Sequence, residues 1–161
     1  MSQKQIISIE LETVADISDL SSEEKNLVLA AKDVATRAYA PYSHFNVGAA
    51  LLLSDGTIVT GSNQENAAYP SGLCAERVAM FSAGAAFPGK SFTKIAVYAH
   101  SAKLDLSTPV TPCGACRQVM AEYEDIHQNA IRVLMASDEK IMAVNGINAL
   151  LPFRFKMPPK K

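Results

Sequence analysis

The chain has no surplus of positive charge: 15 Lys and Arg stand against 16 Asp and Glu, a formal net charge of −1. Without a basic stripe it lacks the electrostatic footprint of a protein that follows nucleic-acid backbone, so no nucleic-acid partner is expected. The single cationic cluster, Lys156 to Lys161, reads as a solvated tail. Long apolar runs are missing as well. The densest, Val47 to Leu53, has seven residues, where a bilayer needs about 20, so no membrane partner is expected. Glu10 and Glu12 interrupt the apolar start at Ile6, Ile7, Ile9 and Leu11, and no secretory cleavage pattern follows. Cysteine is scarce, at three residues. An odd count without an export signal argues against a disulfide framework and for metal binding or catalysis in a reducing compartment. A cytoplasmic location is expected.

What is present fits one globular domain, since 161 residues at 48% hydrophobic composition can bury a sizeable core. Residues 1–20 form an N-terminal arm whose alternation over Ser8 to Leu11 suits a short strand or an extended segment. Residues 21–156 form the domain and 157–161 the basic tail; no repeat, linker or low-complexity tract divides them. Ser21 and Glu24 read as a capping box, and Leu27, Val28, Ala31, Val34, Ala35 and Ala38 recur at helical spacing. The pattern predicts a helix from about Ser22 to Ala40, stopped by Pro41. Phe45–Leu53 and Thr57–Ser62 read as strands of a hairpin turning at Asp55-Gly56. A polar loop over Asn63–Gly72 leads to a helix over Ala75–Ala86 and a strand over Lys94–His100. A second loop over Leu104–Pro112 leads to a helix over Cys113–Glu124. Strands at Ile131–Ala136 and Ile141–Val144 and a short helix before Leu150-Leu151-Pro152 complete the order. That order suggests an α/β fold with a central mixed sheet of five strands and helices on both faces.

Every cysteine falls in Cys74-Ala75-Glu76 or Pro112-Cys113-Gly114-Ala115-Cys116. Three thiols, two spaced C-x-x-C, can hold one zinc ion and leave its fourth position to solvent, the pattern of a catalytic rather than a closed structural site. On the predicted helices, Cys74, Cys113 and Cys116 sit at or near two first turns, where unpaired N–H groups and the positive dipole end favour thiolates. Three thiolates around a dication leave a net charge of −1, which blunts Lewis acidity; Arg77 can offset it by donating to sulfur. Glu76 beside the open position suits proton relay. Asn63 and Glu65 offer acceptors suited to sugar hydroxyls, and a glutamate there would repel a phosphorylated substrate. His44, His100 and His127 are scattered and read as surface or packing residues. Met80, Met120, Met135 and Met142 read as core fillers. Two other classes remain open on these residues alone. A structural zinc module would need a fourth ligand, and a thiol redox protein using Cys113 and Cys116 would leave Cys74-Ala75-Glu76 unexplained.

The chain resembles the cytidine deaminases from about Ala40 to Phe155. The resemblance runs through Pro41 to Ala50, Gly61 to Tyr69, Cys74-Ala75-Glu76-Arg77, Pro112-Cys113-Gly114-Ala115-Cys116-Arg117-Gln118 and Leu150-Leu151-Pro152. It implies a three-layer α/β/α sandwich of cytidine deaminase-like type and a homotetramer of the three-cysteine zinc type with shared active sites. It also implies one Zn2+ per chain on Cys74, Cys113 and Cys116, tuned by Arg77. The implied activity, in pyrimidine salvage, is hydrolysis of cytidine and 2′-deoxycytidine to uridine and 2′-deoxyuridine with release of ammonia. The resemblance further implies that a zinc-held hydroxide would attack C4 while Glu76 shuttles protons. In the family, residues matching Asn63 and Glu65 hold the ribose and the one matching Phe45 packs on the base. Those matching Ala67, Tyr69 and Phe155 come from neighbouring subunits, with Phe153 competing for the role of Phe155. Another aminopyrimidine nucleoside, such as an aminonucleoside antibiotic, is the alternative substrate.

Overall fold

Ser21 caps the first long helix as its sequence predicts: its side chain accepts from Glu24 N, while Glu24 reaches back to Ser21 N. The computed structural model describes residues 2–158; Met1 and residues 159–161, the end of the expected basic tail, lie outside the described residues. In chain order the elements are β1 (Glu12–Val14), α1 (Ser22–Ala35), β2 (Asn46–Leu53), β3 (Ile58–Ser62) and α2 (Ala75–Ala86). They continue with β4 (Phe92–His100), α3 (Gly114–His127), β5 (Arg132–Ala136) and β6 (Ile141–Asn145). The expected helix before Leu150 is a 3-10 turn over Ile147–Ala149.

The strands form one mixed sheet in the order β1-β6-β5-β4-β2-β3, parallel only between β4 and β5. It has six strands rather than the expected five. The sixth is β1, which comes from the arm but lies just after the alternating stretch Ser8 to Leu11. Arg132 explains the placement: it bonds Glu12 at 2.7 Å and Glu24 at 2.5 Å, tying the arm and α1 to the start of β5.

Alternate side chains of the central strands face opposite layers, giving two cores. Ala49, Leu51, Ile95, Val97, Val133 and Met135 pack under α2 and α3. Ala50, Leu52, Ala96, Tyr98, Leu134 and Ala143 pack under α1. The three-layer expectation therefore holds. Two glycines let helices ride close on the sheet. A Cβ on Gly48 would lie 2.0 Å from Ala31 O, and one on Gly61 would lie 2.5 Å from Ala79 N and 2.7 Å from Ala75 O.

Helix α1 ends at Ala35, five residues before the predicted Ala40. Tyr39 is drawn out of helical register by Asn63 O and Glu65 N, which pair with its backbone at 3.0 and 2.8 Å. Pro41 therefore does not terminate the helix.

At the end of the sheet where β4 begins, His127 Nδ1 accepts from Phe92 N at 3.2 Å, and the ring packs edge-on to Phe92. Burial lowers the His127 pKa from its usual value. Below that usual value, about 6.5, the unfolded chain takes up a proton that the fold resists, so stability falls with pH through this window. His127→Gln should flatten the loss of Tm between pH 7.5 and 5.5 relative to the parent. Parallel Tm–pH curves would show that His127 does not contribute.

Candidate active site

Cys74 is the N-cap of α2 and Cys113 the N-cap of α3, while Cys116 lies in the first turn of α3. Neither cap uses a side-chain oxygen, so the first-turn N–H groups are left to face sulfur. The strand-like pairing of Gln64 with Leu73, 2.9 Å in both directions, holds the entry to α2 against the end of β3. Gly61 lets the first turns of α2 settle on β3.

The thiols converge. Sγ of Cys74 lies 3.8 Å from that of Cys113, and Sγ of Cys113 lies 3.5 Å from that of Cys116. Three thiolates at about 2.3 Å from a tetrahedral zinc stand roughly 3.8 Å apart, so the trio fits that ion. Among the described residues, no histidine, aspartate or glutamate joins the cluster as a fourth donor, which leaves a structural zinc module without its last ligand. Hydrogen bonding from Cys116, aided by Arg77, pushes the Cys74 thiol down to about 5, and the same sharing pushes the Cys116 thiol up. Arg77 Nη2 stands 3.6 Å from the Cys74 sulfur. Arg77 Nε is buried without a hydrogen-bond partner, an idle donor that an anionic sulfur centre would engage. The donor set and this orphaned N–H both suit zinc.

Glu76, on the first turn of α2, is buried, and burial raises its carboxyl pKa. It lines a cavity of about 770 Å³ together with Cys74, Cys113 and Arg77. Phe45, Asn63, Glu65 and Tyr69 line the same cavity; Ala67 and Phe155 do not. Asn63 staples the start of β2, accepting from Val47 N at 2.8 Å and donating to Phe45 O at 2.9 Å. The Glu65 carboxylate accepts from Tyr42 N at 2.9 Å, from Ser43 N and from Ser43 Oγ, and the Ser43 bond holds its carboxyl below the usual range. Tyr69 is 76% exposed and meets Tyr42 edge-on at 6.0 Å. Phe155 is 69% exposed and Phe153 85% exposed; both backbone groups of Phe155 bond the Gln118 side chain on α3.

Sequence reasoning missed Tyr42, Ser43, Val110 and Thr111 as cavity residues. No local pattern pairs Ser43 with a carboxylate 22 residues away. It also missed Glu124, a buried carboxylate that accepts from Ile131 N at 2.7 Å and Ile147 N at 2.9 Å.

Residues 21–132 match the family model described as "Cytidine and deoxycytidylate deaminase zinc-binding region". The chain is 50% identical over 99 residues to a cytidine deaminase of Sporosarcina psychrophila, covering 62% of this chain and 68% of that one. It is 43% identical over 134 residues to a probable cytidine deaminase of Dictyostelium discoideum, covering 83% and 84%. The crystal structure of cytidine deaminase from Burkholderia pseudomallei matches with a TM-score of 0.67 at 41% identity, over 81% of this chain and 97% of that one. Its two cysteine-bearing helix starts, its sandwich and these likenesses agree: the chain belongs to the cytidine deaminase family.

Proposed function

We propose that this protein hydrolyses cytidine and 2′-deoxycytidine to uridine and 2′-deoxyuridine with release of ammonia. The observation that carries the reading is the convergence of Cys74, Cys113 and Cys116 beside buried Glu76 at one cavity. Cys74, Cys113 and Cys116 would hold one zinc ion, which when bound would supply the Lewis acidity that makes water a nucleophile near neutral pH. Glu76 takes a proton from the attacking water and delivers it to the ring N3. The C4–O bond forms in that step; the proton of the new C4 hydroxyl then passes through the same carboxyl to the C4 amine, the C4–N bond breaks, and ammonia leaves as the C4 carbonyl forms. A carboxyl raised by burial is suited to both directions of transfer. Arg77 draws negative charge from Cys74.

Phe45 packs on the base, while Asn63 and Glu65 receive the sugar. Glu65 already faces the Tyr42–Ser43 turn as an acceptor, so sugar hydroxyls replace or share those donors. A carboxylate at that wall disfavours a nucleotide phosphate. Residues 21–156 act as one catalytic domain, and the protein works in pyrimidine salvage in the cytoplasm. It assembles as a homotetramer with shared sites, in which Ala67 and Phe155 reach a neighbour's cavity and Tyr69, which lines the cavity of its own chain, also extends toward the neighbour's. Tyr69 and Phe155 leave most of their aromatic surface open to solvent, surface that a neighbouring chain would cover in this assembly.

Loss of ultraviolet absorbance on cytidine, abolished by a zinc chelator and restored by added zinc, is the expected result. Activity indifferent to chelation after zinc is shown to be gone would defeat the reading. For the assembly, sedimentation should report four chains, and Phe155→Ala should raise KM several-fold with zinc content unchanged. A fully active monomer would refute shared sites.

A further inference from the structure

The loop that enters α3, residues 101–113, has no strand or helix of its own over its last stretch, yet it must present Cys113 to the cavity. Among the described residues, the only hydrogen bonds to Thr111 and Pro112 come from one side chain, Arg117. Its guanidinium spreads over three acceptors: Nε donates to Pro112 O at 2.7 Å, Nη2 to Thr111 Oγ1 at 2.9 Å and Nη1 to Leu150 O at 2.8 Å. Arg117 also donates its backbone N–H to Cys113 O at 3.0 Å, closing the first turn that carries both sulfurs. One planar fork therefore joins the peptide before Cys113, the cavity-lining Thr111 and the segment after β6.

We infer that Arg117 is a positioning residue that fixes Cys113 for metal binding by bracing the Thr111–Pro112 segment against Leu150. The inference rests on the zinc-site reading above and deepens it. Arg117 touches neither sulfur nor substrate; it acts through the loop. Lysine cannot replace it, because a single ammonium does not span three acceptors lying in the directions of a guanidinium fork.

Supporting shells of this kind typically carry 10- to 100-fold in metal affinity. Zinc affinity of the folded protein is to be measured by competition with a chelating dye, for the parent, Arg117→Lys and Arg117→Met. Ser21→Ala serves as a control that weakens the cap of α1, far from the loop. Both Arg117 variants should bind zinc about 10- to 100-fold more weakly and release it faster, while Ser21→Ala lowers Tm with zinc affinity unchanged. Should the Arg117 variants lose Tm but keep parental zinc affinity, Arg117 is structural only and the inference fails. It fails equally if Arg117→Lys binds zinc like the parent. Should the variants not fold, Thr111→Val tests the same brace, with weaker zinc binding expected and parental affinity counting against it. A parent chain that takes up no zinc would overturn this inference together with the reading beneath it.

Discussion

Glu76→Gln should lower kcat on cytidine by about 10³- to 10⁴-fold, the upper range for a positioned acid–base group, while zinc content stays at the parental level. Glutamine has nearly the volume of glutamate and keeps a carbonyl oxygen, so the packing of this buried side chain survives. What disappears is the capacity to accept and release two protons in turn, one for the ring N3 and one for the departing amine. Burial disfavours the charged carboxylate here, so neutralising the side chain should leave Tm unchanged or slightly higher. The decisive measurement pairs steady-state kinetics with metal analysis of the same sample. A variant with full zinc and a kcat within tenfold of the parent would assign proton transfer to another group.

A methyl group at either close-approach glycine should act on different properties. Gly48→Ala brings Cβ to 2.0 Å from Ala31 O and 2.6 Å from Ala35 N, both backbone atoms that cannot rotate away. The expected cost is about 3 kcal/mol or more, or roughly 2–4 °C of Tm per kcal/mol for a chain of this size. Helix α1 lies on the opposite face from the thiols, so surviving folded protein should keep its turnover. Gly61→Ala meets Ala79 N and Ala75 O on α2, the helix that begins at Cys74 and carries Glu76. It should reduce Tm and, in addition, weaken zinc retention and kcat of the folded fraction. Equal specific activity for the two variants would show that the seating of α2 does not matter to the site.

The thiols, Glu76 and the helices that bear them were legible because their signals are local. The C-x-x-C lies on one helical turn, and α2 occupies the predicted span Ala75–Ala86. The end of α1 was not legible, since the pull on Tyr39 comes from Asn63 and Glu65, distant in sequence. The sixth strand was hidden for the same reason: alternation can mark an extended segment, but only Arg132 and the free edge of β6 say where it pairs. Asn63 and Glu65 were readable as polar groups near a cavity, yet their engagement with the backbone of Phe45, Val47, Tyr42 and Ser43 required the folded turn.

The reactive groups gather where β2 begins and β3 ends, whereas the hairpin tip at Asp55 bonds Lys90 at the opposite end of the sheet. Chemistry and scaffolding are thus segregated to two poles. An epitope or reporter domain spliced into the Asp55–Gly56 turn would hang from the inert pole, leaving the nucleoside entrance unobstructed.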